Sequence, residues 1–512
     1  MLQRHLTLCY LFSVFCSLFS VFCSPSFAQQ EFEITIQTTL GDTTETFWLQ
    51  IPQDYQPGVP CPLLIGWHQW GGNHLEFKYQ TDFDSIANVR GWIAASHFGT
   101  SATHWNNHPT QSHVVDVINW ISQRLSVDSS RIYMVGSSMG GAAGMVFSNN
   151  HLDPEGPIVA AAASVSGIQD CERRYYEQGI NNTMIASFGG TPEQVPYEYH
   201  RNSAIYFADS TRSMHFNALH LSLYLTFGCE WSDSVWRRHA EDLYEVMVQF
   251  ADTVVLHESA VYGHGWSCCE EELICDFFQN FSLNRYPVHI AVNADEEGDW
   301  YWADITMRNP IEAFARFEGW VDTALSHIDF SMLRNVQSAS LDLSTVGFSY
   351  DVNQFTCSWS ILDGQSSQLT FEGVPQSPYS ILKNSQPYIA WAYDPLEQTL
   401  TLDGEGSGLY TIIFESTSPP PVSPAPYQGP IINARLGPDA SLTYEISASG
   451  TLSWELYDIT GRKISRADLG WQDRGLGRIL FNGELAAGVY FLYLQIDGTY
   501  KSQTTEKIII VK

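Results

Sequence analysis

Ser138 lies in RIYMVGSSMGG with glycines two residues before and two after it, Gly136 and Gly140. A serine hydroxyl is a poor nucleophile until a base removes its proton, so this serine carries chemistry only if a histidine reaches it. The apolar run Ile132 to Val135 enters the motif as a strand, and AAGMVFS leaves it as a helix. Strand, tight turn and helix strain such a serine into the open, and the paired glycines leave room for neighbouring backbone. Ser137 lacks that pairing, which makes Ser138 the candidate nucleophile. His264, in VYGHGW, follows the strand-like TVVLHES and is the candidate base. His239 falls in a helical stretch, and His68 precedes the serine.

An acid must hold the imidazole in the correct tautomer, and it belongs at the end of the strand before the histidine loop. LSLYLTFG, residues 221–228, is that strand, and the loop after it carries Glu230 and Asp233. Asp233 is the favoured acid, Glu230 is the second candidate, and Glu193 in FGGTPEQVPY is the third. A tetrahedral intermediate also needs two backbone N–H donors, one of them on the residue after the nucleophile, here Met139. The early turn in PLLIGWHQWGGN supplies the other, which is assigned to Gln69 with Trp70 next in line.

These segments resemble secreted esterases related to polyhydroxybutyrate depolymerases and feruloyl esterases, a group close to the prolyl-oligopeptidase catalytic domain. PLLIGWHQWGGN is similar to that family's strand and HGxGGN, VDSSRIYMVGSSMGG to its xDxxRIYxxGxSMGG, and GHGW to its histidine loop. The likeness runs from about residue 33 to 270. Gln69 stands where the family has its first oxyanion-loop glycine, and Asp233 is one residue off the family's Gly-x-x-Asp-x-x-Val spacing. The resemblance implies an α/β-hydrolase fold and carboxylic-ester hydrolysis through an acyl-enzyme. It also implies an ester substrate, polymeric or derived from plant cell wall. A peptidase of the prolyl-oligopeptidase kind is the second reading, and a non-catalytic binding protein on the same scaffold is the third. Only about thirty residues separate Gln29 from PLLIGW, too few for the propeller that precedes the hydrolase in those peptidases.

The elements that must position these residues follow from hydrophobic periodicity. From about residue 29 to 287, apolar runs alternate with helical stretches, the pattern of a parallel sheet with crossover helices. Residues 168–220 exceed a simple crossover and read as a cap, in which Tyr197, Tyr199 and His200 are candidate substrate contacts; Trp105 joins them from an earlier loop. From 288 to 415 the period changes to two, which predicts an all-β domain. STSPPPVSPAPYQGP at 416–430 reads as an extended linker, and 431–512 as a second small β-module. Together with the resemblance, this order of elements implies an α/β-hydrolase domain followed by two small sandwich-like all-β domains.

The last module resembles the C-terminal sorting domain of the type IX secretion system, through Asp458, Gly461, Arg462, Leu485, Gly488, Tyr490 and the Lys507 to Lys512 end. That resemblance implies type IX secretion machinery as a partner, with release or attachment at the cell surface. Arg4, the apolar stretch Leu6 to Phe22 and Ser26-Phe27-Ala28 read as a signal peptide over 1–28. Export would let some of Cys61, Cys171, Cys229, Cys268, Cys269, Cys275 and Cys357 pair, most easily Cys268 or Cys269 with Cys275; buried free thiols are the alternative. Lys+Arg 25 against Asp+Glu 56 gives a net charge of -31, which repels nucleic acid and anionic lipid. No metal-spaced His/Cys cluster or nucleotide-binding glycine loop occurs, so no cofactor, no metal and no nucleic acid are expected.

Overall fold

Runs such as LLIGW and IYMVGS are apolar at successive positions, so both faces of those strands must be covered. The computed structural model describes residues 30–414, except 42, 178–180, 230–233, 252, 351–352 and 405, together with the strands between 432 and 510. The first half is built from β1 (Gln30–Gln37), β2 (Thr44–Ile51), β3 (Cys61–Trp67), α1 (Glu76–Gln80), α2 (Phe83–Arg90) and β4 (Ile93–His97). Then come α3 (His108–Ser122), β5 (Val127–Ser137), α4 (Ala143–Asn150) and β6 (Ala161–Val165). The cap carries α5 (Cys171–Glu177), α6 (Asn181–Phe188) and α7 (Pro196–Arg201). After it follow β7 (Ser222–Gly228), α8 (Ser234–Met247), β8 (Val254–Ser259) and α9 (Glu271–Phe278).

One eight-stranded sheet results, in the order β1-β2-β4-β3-β5-β6-β7-β8. From β3 to β8 every neighbouring pair is parallel, while β1 and β2 run antiparallel at one edge. Parallel strands bring all their C-terminal ends to one rim, and that rim gathers the loops after β3, β5, β6, β7 and β8. Helix placement is set locally: α3, for example, starts where the Asn107 side chain accepts the Thr110 N–H at 3.0 Å, with Pro109 in its first turn.

Residues 289–413 form a six-stranded and a seven-stranded sheet whose core includes Trp302, Phe317, Phe330, Trp359 and Tyr410. This sandwich shares one compact unit, Met1–Glu415, with the α/β part. The junction is buried and polar groups cross it in pairs. The Tyr301 N–H donates to Leu152 O at 2.8 Å, Tyr301 Oη meets His220 Nδ1 at 2.6 Å, and the Asn293 N–H donates to Asn217 Oδ1 at 2.7 Å. Arg201 pairs with the buried Asp295 at 2.5 Å. Buried apolar residues of both parts belong to a single cluster, from Tyr133 and Phe278 to Phe317 and Phe330.

The second unit, Ser416–Lys512, contains a three-stranded and a four-stranded antiparallel sheet around Leu452, Trp454, Leu456, Leu492 and Leu494. Asp458 stands opposite Tyr490 in the four-stranded sheet. Gly461, Arg462, Leu485 and Lys512 lie outside the described residues, as do the N-terminal stretch 1–29 and the linker. Among the described residues no helix is long and apolar enough to cross a membrane. None of the seven cysteines among the described residues is in a disulfide, so neither Cys268 nor Cys269 is bonded to Cys275. Cys268 and Cys275 are buried, and burial pushes the Cys275 thiol up to about 12.

Candidate active site

β5 ends at Ser137, and a 3-10 turn, Ser138–Ala142, carries the chain into α4. Ser138 has φ +53°, a left-handed conformation that costs a non-glycine residue about 1 kcal/mol or more. The turn is held because it packs on the loop after β3. A Cβ on Gly140 would lie 2.7 Å from the carbonyl oxygens of both Trp67 and His68, so only glycine permits that approach.

The β8 loop delivers His264 to the same place, with its Nε2 2.9 Å from Ser138 Oγ. Ser267 Oγ accepts the His264 backbone N–H at 3.1 Å and donates to His264 O at 2.8 Å, which closes the loop on itself. The Trp236 ring, from α8, packs against the imidazole with centroids 4.0 Å apart. A hydroxyl hydrogen-bonded to a ring nitrogen in this way can pass its proton to that nitrogen as it attacks an electrophile.

The remaining expected residues fall in different places. Asp233 and Glu230 lie outside the described residues. Glu193 is exposed on the cap and takes the Tyr176 hydroxyl. Met139 is buried beside the serine, and its carbonyl accepts Asn106 Nδ2 at 2.8 Å. Gln69 sits at the rim, but its backbone N–H donates to Glu76 Oε1 at 2.9 Å. The Trp70 N–H has no acceptor among the described residues.

Trp105 is buried among Met139, Met184, Phe188 and Tyr199, and its indole N–H reaches Thr183 Oγ1 at 3.0 Å. The Trp70 indole donates to the same Thr183 oxygen at 3.2 Å, so two tryptophans tie the rim to α6 of the cap. Tyr197 is spent on the sandwich: its hydroxyl donates to Asp295 O and its ring lies 4.8 Å from Phe314. Tyr199 donates to Gly190 O at 3.1 Å, and His200 pairs with Glu172 at 2.7 Å. The three cap residues chosen as substrate contacts therefore pack the cap and its junction.

An open cleft of ≈ 430 Å³ lies over the serine, lined by residues 69–72, Glu76 and Gln80 with Ser138 and His264. Glu76 and Trp236 escaped the sequence reading. Neither stands in a motif, and each reaches the site only through helix packing. Among the described residues no group of three His, Cys, Asp or Glu side chains is placed to hold a metal ion.

No family model matches the chain, and no curated protein matches it. Solved structures resemble parts of it. FphF, a fluorophosphonate-binding serine hydrolase of Staphylococcus aureus, is 12% identical, with 49% of this chain and 98% of that one covered at a TM-score of 0.39. A ferulic acid esterase is also 12% identical over 49% of this chain and 97% of its own, at 0.38. The acylaminoacyl peptidase of Pyrococcus horikoshii is 16% identical over 52% of this chain and 43% of its own, at 0.37.

Proposed function

We propose that this chain is an exported serine hydrolase that cleaves carboxylic esters. The reading rests on one observation above all: a serine strained to φ +53° at a strand-to-helix turn, with its Oγ 2.9 Å from His264 Nε2. In the reaction Ser138 Oγ bonds to the acyl carbon while His264 Nε2 takes its proton, and the carbonyl electron pair moves onto oxygen. The N–H groups of Met139 and Trp70 receive that oxyanion, because the Gln69 N–H is already engaged by Glu76. His264 returns the proton to the leaving alcohol. Water then attacks the acyl-enzyme, with His264 again taking a proton; as the Ser138 Oγ–acyl bond breaks, His264 passes that proton to Oγ and the carboxylic acid departs. We assign the acid that orients His264 to Asp233. Export through a signal peptide over 1–28 and a type IX sorting module at the C-terminus completes the proposal.

The test compares wild type with Ser138→Ala on p-nitrophenyl acetate, methyl ferulate and a proline-anilide peptide, alongside labelling by a fluorophosphonate. Ester turnover and labelling are expected in wild type, with the variant unlabelled and at least about a thousandfold slower. Peptide cleavage without ester turnover would overturn the ester reading. Absence of labelling in wild type would overturn the assignment of the nucleophile.

A further inference from the structure

Glu76 is the only ionisable side chain of acidic type among the residues that line the cleft, and it is almost fully buried at 8% exposure. One of its oxygens is saturated. Oε1 accepts the Gln69 N–H at 2.9 Å, the Gln69 side-chain amide at 3.3 Å and the Trp266 indole N–H at 2.7 Å. The other oxygen is not: no described residue donates to Oε2. Oε2 sits where Gly72 leaves a gap, 1.9 Å from the position a Cβ would take. No described lysine or arginine pairs with Glu76, and Lys78, two residues on, pairs with Glu31 instead.

A carboxylate anchored by three donors cannot swing away, and with no cation beside it its charge acts on whatever enters the cleft. We propose that Glu76 is a specificity-determining residue, which excludes acyl groups that carry a carboxylate and leaves neutral ones to react. The inference rests on the assignment of Ser138 and His264 as the reacting pair.

The experiment compares 4-nitrophenyl hydrogen adipate with its uncharged methyl ester, nearly equal in size, on wild type and Glu76→Gln. Glutamine keeps an acceptor for the Gln69 and Trp266 donors and removes the charge. Wild type is expected to favour the neutral ester by about tenfold in kcat/KM, and the substitution to bring that ratio close to one. High salt should narrow the wild-type ratio as well, which tests the charge without any variant. An equal ratio in wild type, or a wild-type preference for the adipate anion, would overturn the proposal. So would a ratio that Glu76→Gln leaves unchanged while fluorophosphonate still labels the variant. If wild type is neither labelled nor active on either ester, the assignment of the reacting pair has failed, and this inference falls with it.

Discussion

In the proposed mechanism, proton transfer from Ser138 depends on the plane of the His264 imidazole, and packing holds that ring as well as hydrogen bonds. The Trp236 ring centroid lies 4.0 Å from that of His264, and the Arg174 guanidinium carbon lies over the Trp236 ring at 5.5 Å from its centroid. Among the described residues the buried Trp236 indole N–H has no partner, so toward them the residue contributes shape rather than a polar contact. Trp236→Ala should therefore lower kcat by about tenfold with a smaller change in KM, because a loosened base misaligns the transfer. Trp236→Phe should restore most of the loss. Steady-state kinetics on one ester checks both, and an unchanged kcat in the alanine variant would show that the ring is held by other means.

At the scale of elements, the β5–α4 turn and the loop after β3 are one packed object. Gly140 is the contact between them, with the Trp67 and His68 carbonyl oxygens both 2.7 Å from where a Cβ would stand. Gly140→Ala should force the two loops apart at a cost of about 1–3 kcal/mol in stability. Urea unfolding would report that as a lower midpoint. Activity should fall further than stability alone explains, since Ser138 and Trp70, the proposed nucleophile and second oxyanion donor, belong to the two loops that meet at this contact.

Across the whole first unit, titration is set by the buried His215 and the half-buried His151 and His220. Burial lowers His151 to about 3, with His108 and Arg201 nearby adding to the effect, and lowers His215 and His220 to about 4. The unfolded chain protonates its histidines near 6.5. Below that pH the unfolded state binds protons that the folded state refuses, so these residues favour folding fully above about 6.5 and lose that contribution as pH falls toward 4. The apparent Tm should drop across this window. His220→Gln, which keeps an acceptor for Tyr301 Oη, should flatten the slope; a slope equal to wild type would remove His220 from the account.

Order along the chain was legible in the sequence. Alternating apolar runs, the glycine-bracketed serine and the late histidine loop are local patterns, and the parallel sheet follows because strands buried on both faces admit few other arrangements. The period-two stretch likewise predicts the two sheets of 289–413. Side-chain destinations were not legible, because they depend on which surfaces meet. Tyr197, in an aromatic-rich cap, faces Phe314 and Asp295 once the sandwich packs there. Gln69 occupies the expected loop, yet a helix seven residues on supplies the carboxylate that claims its N–H. The elements and the order of the candidate site residues arise from neighbours in the chain, so the amino-acid order alone carries them. Tertiary structure alone decided the 2.9 Å approach of His264 to Ser138, the carboxylate in the cleft wall and the union of cap with sandwich, since each joins residues far apart in the chain.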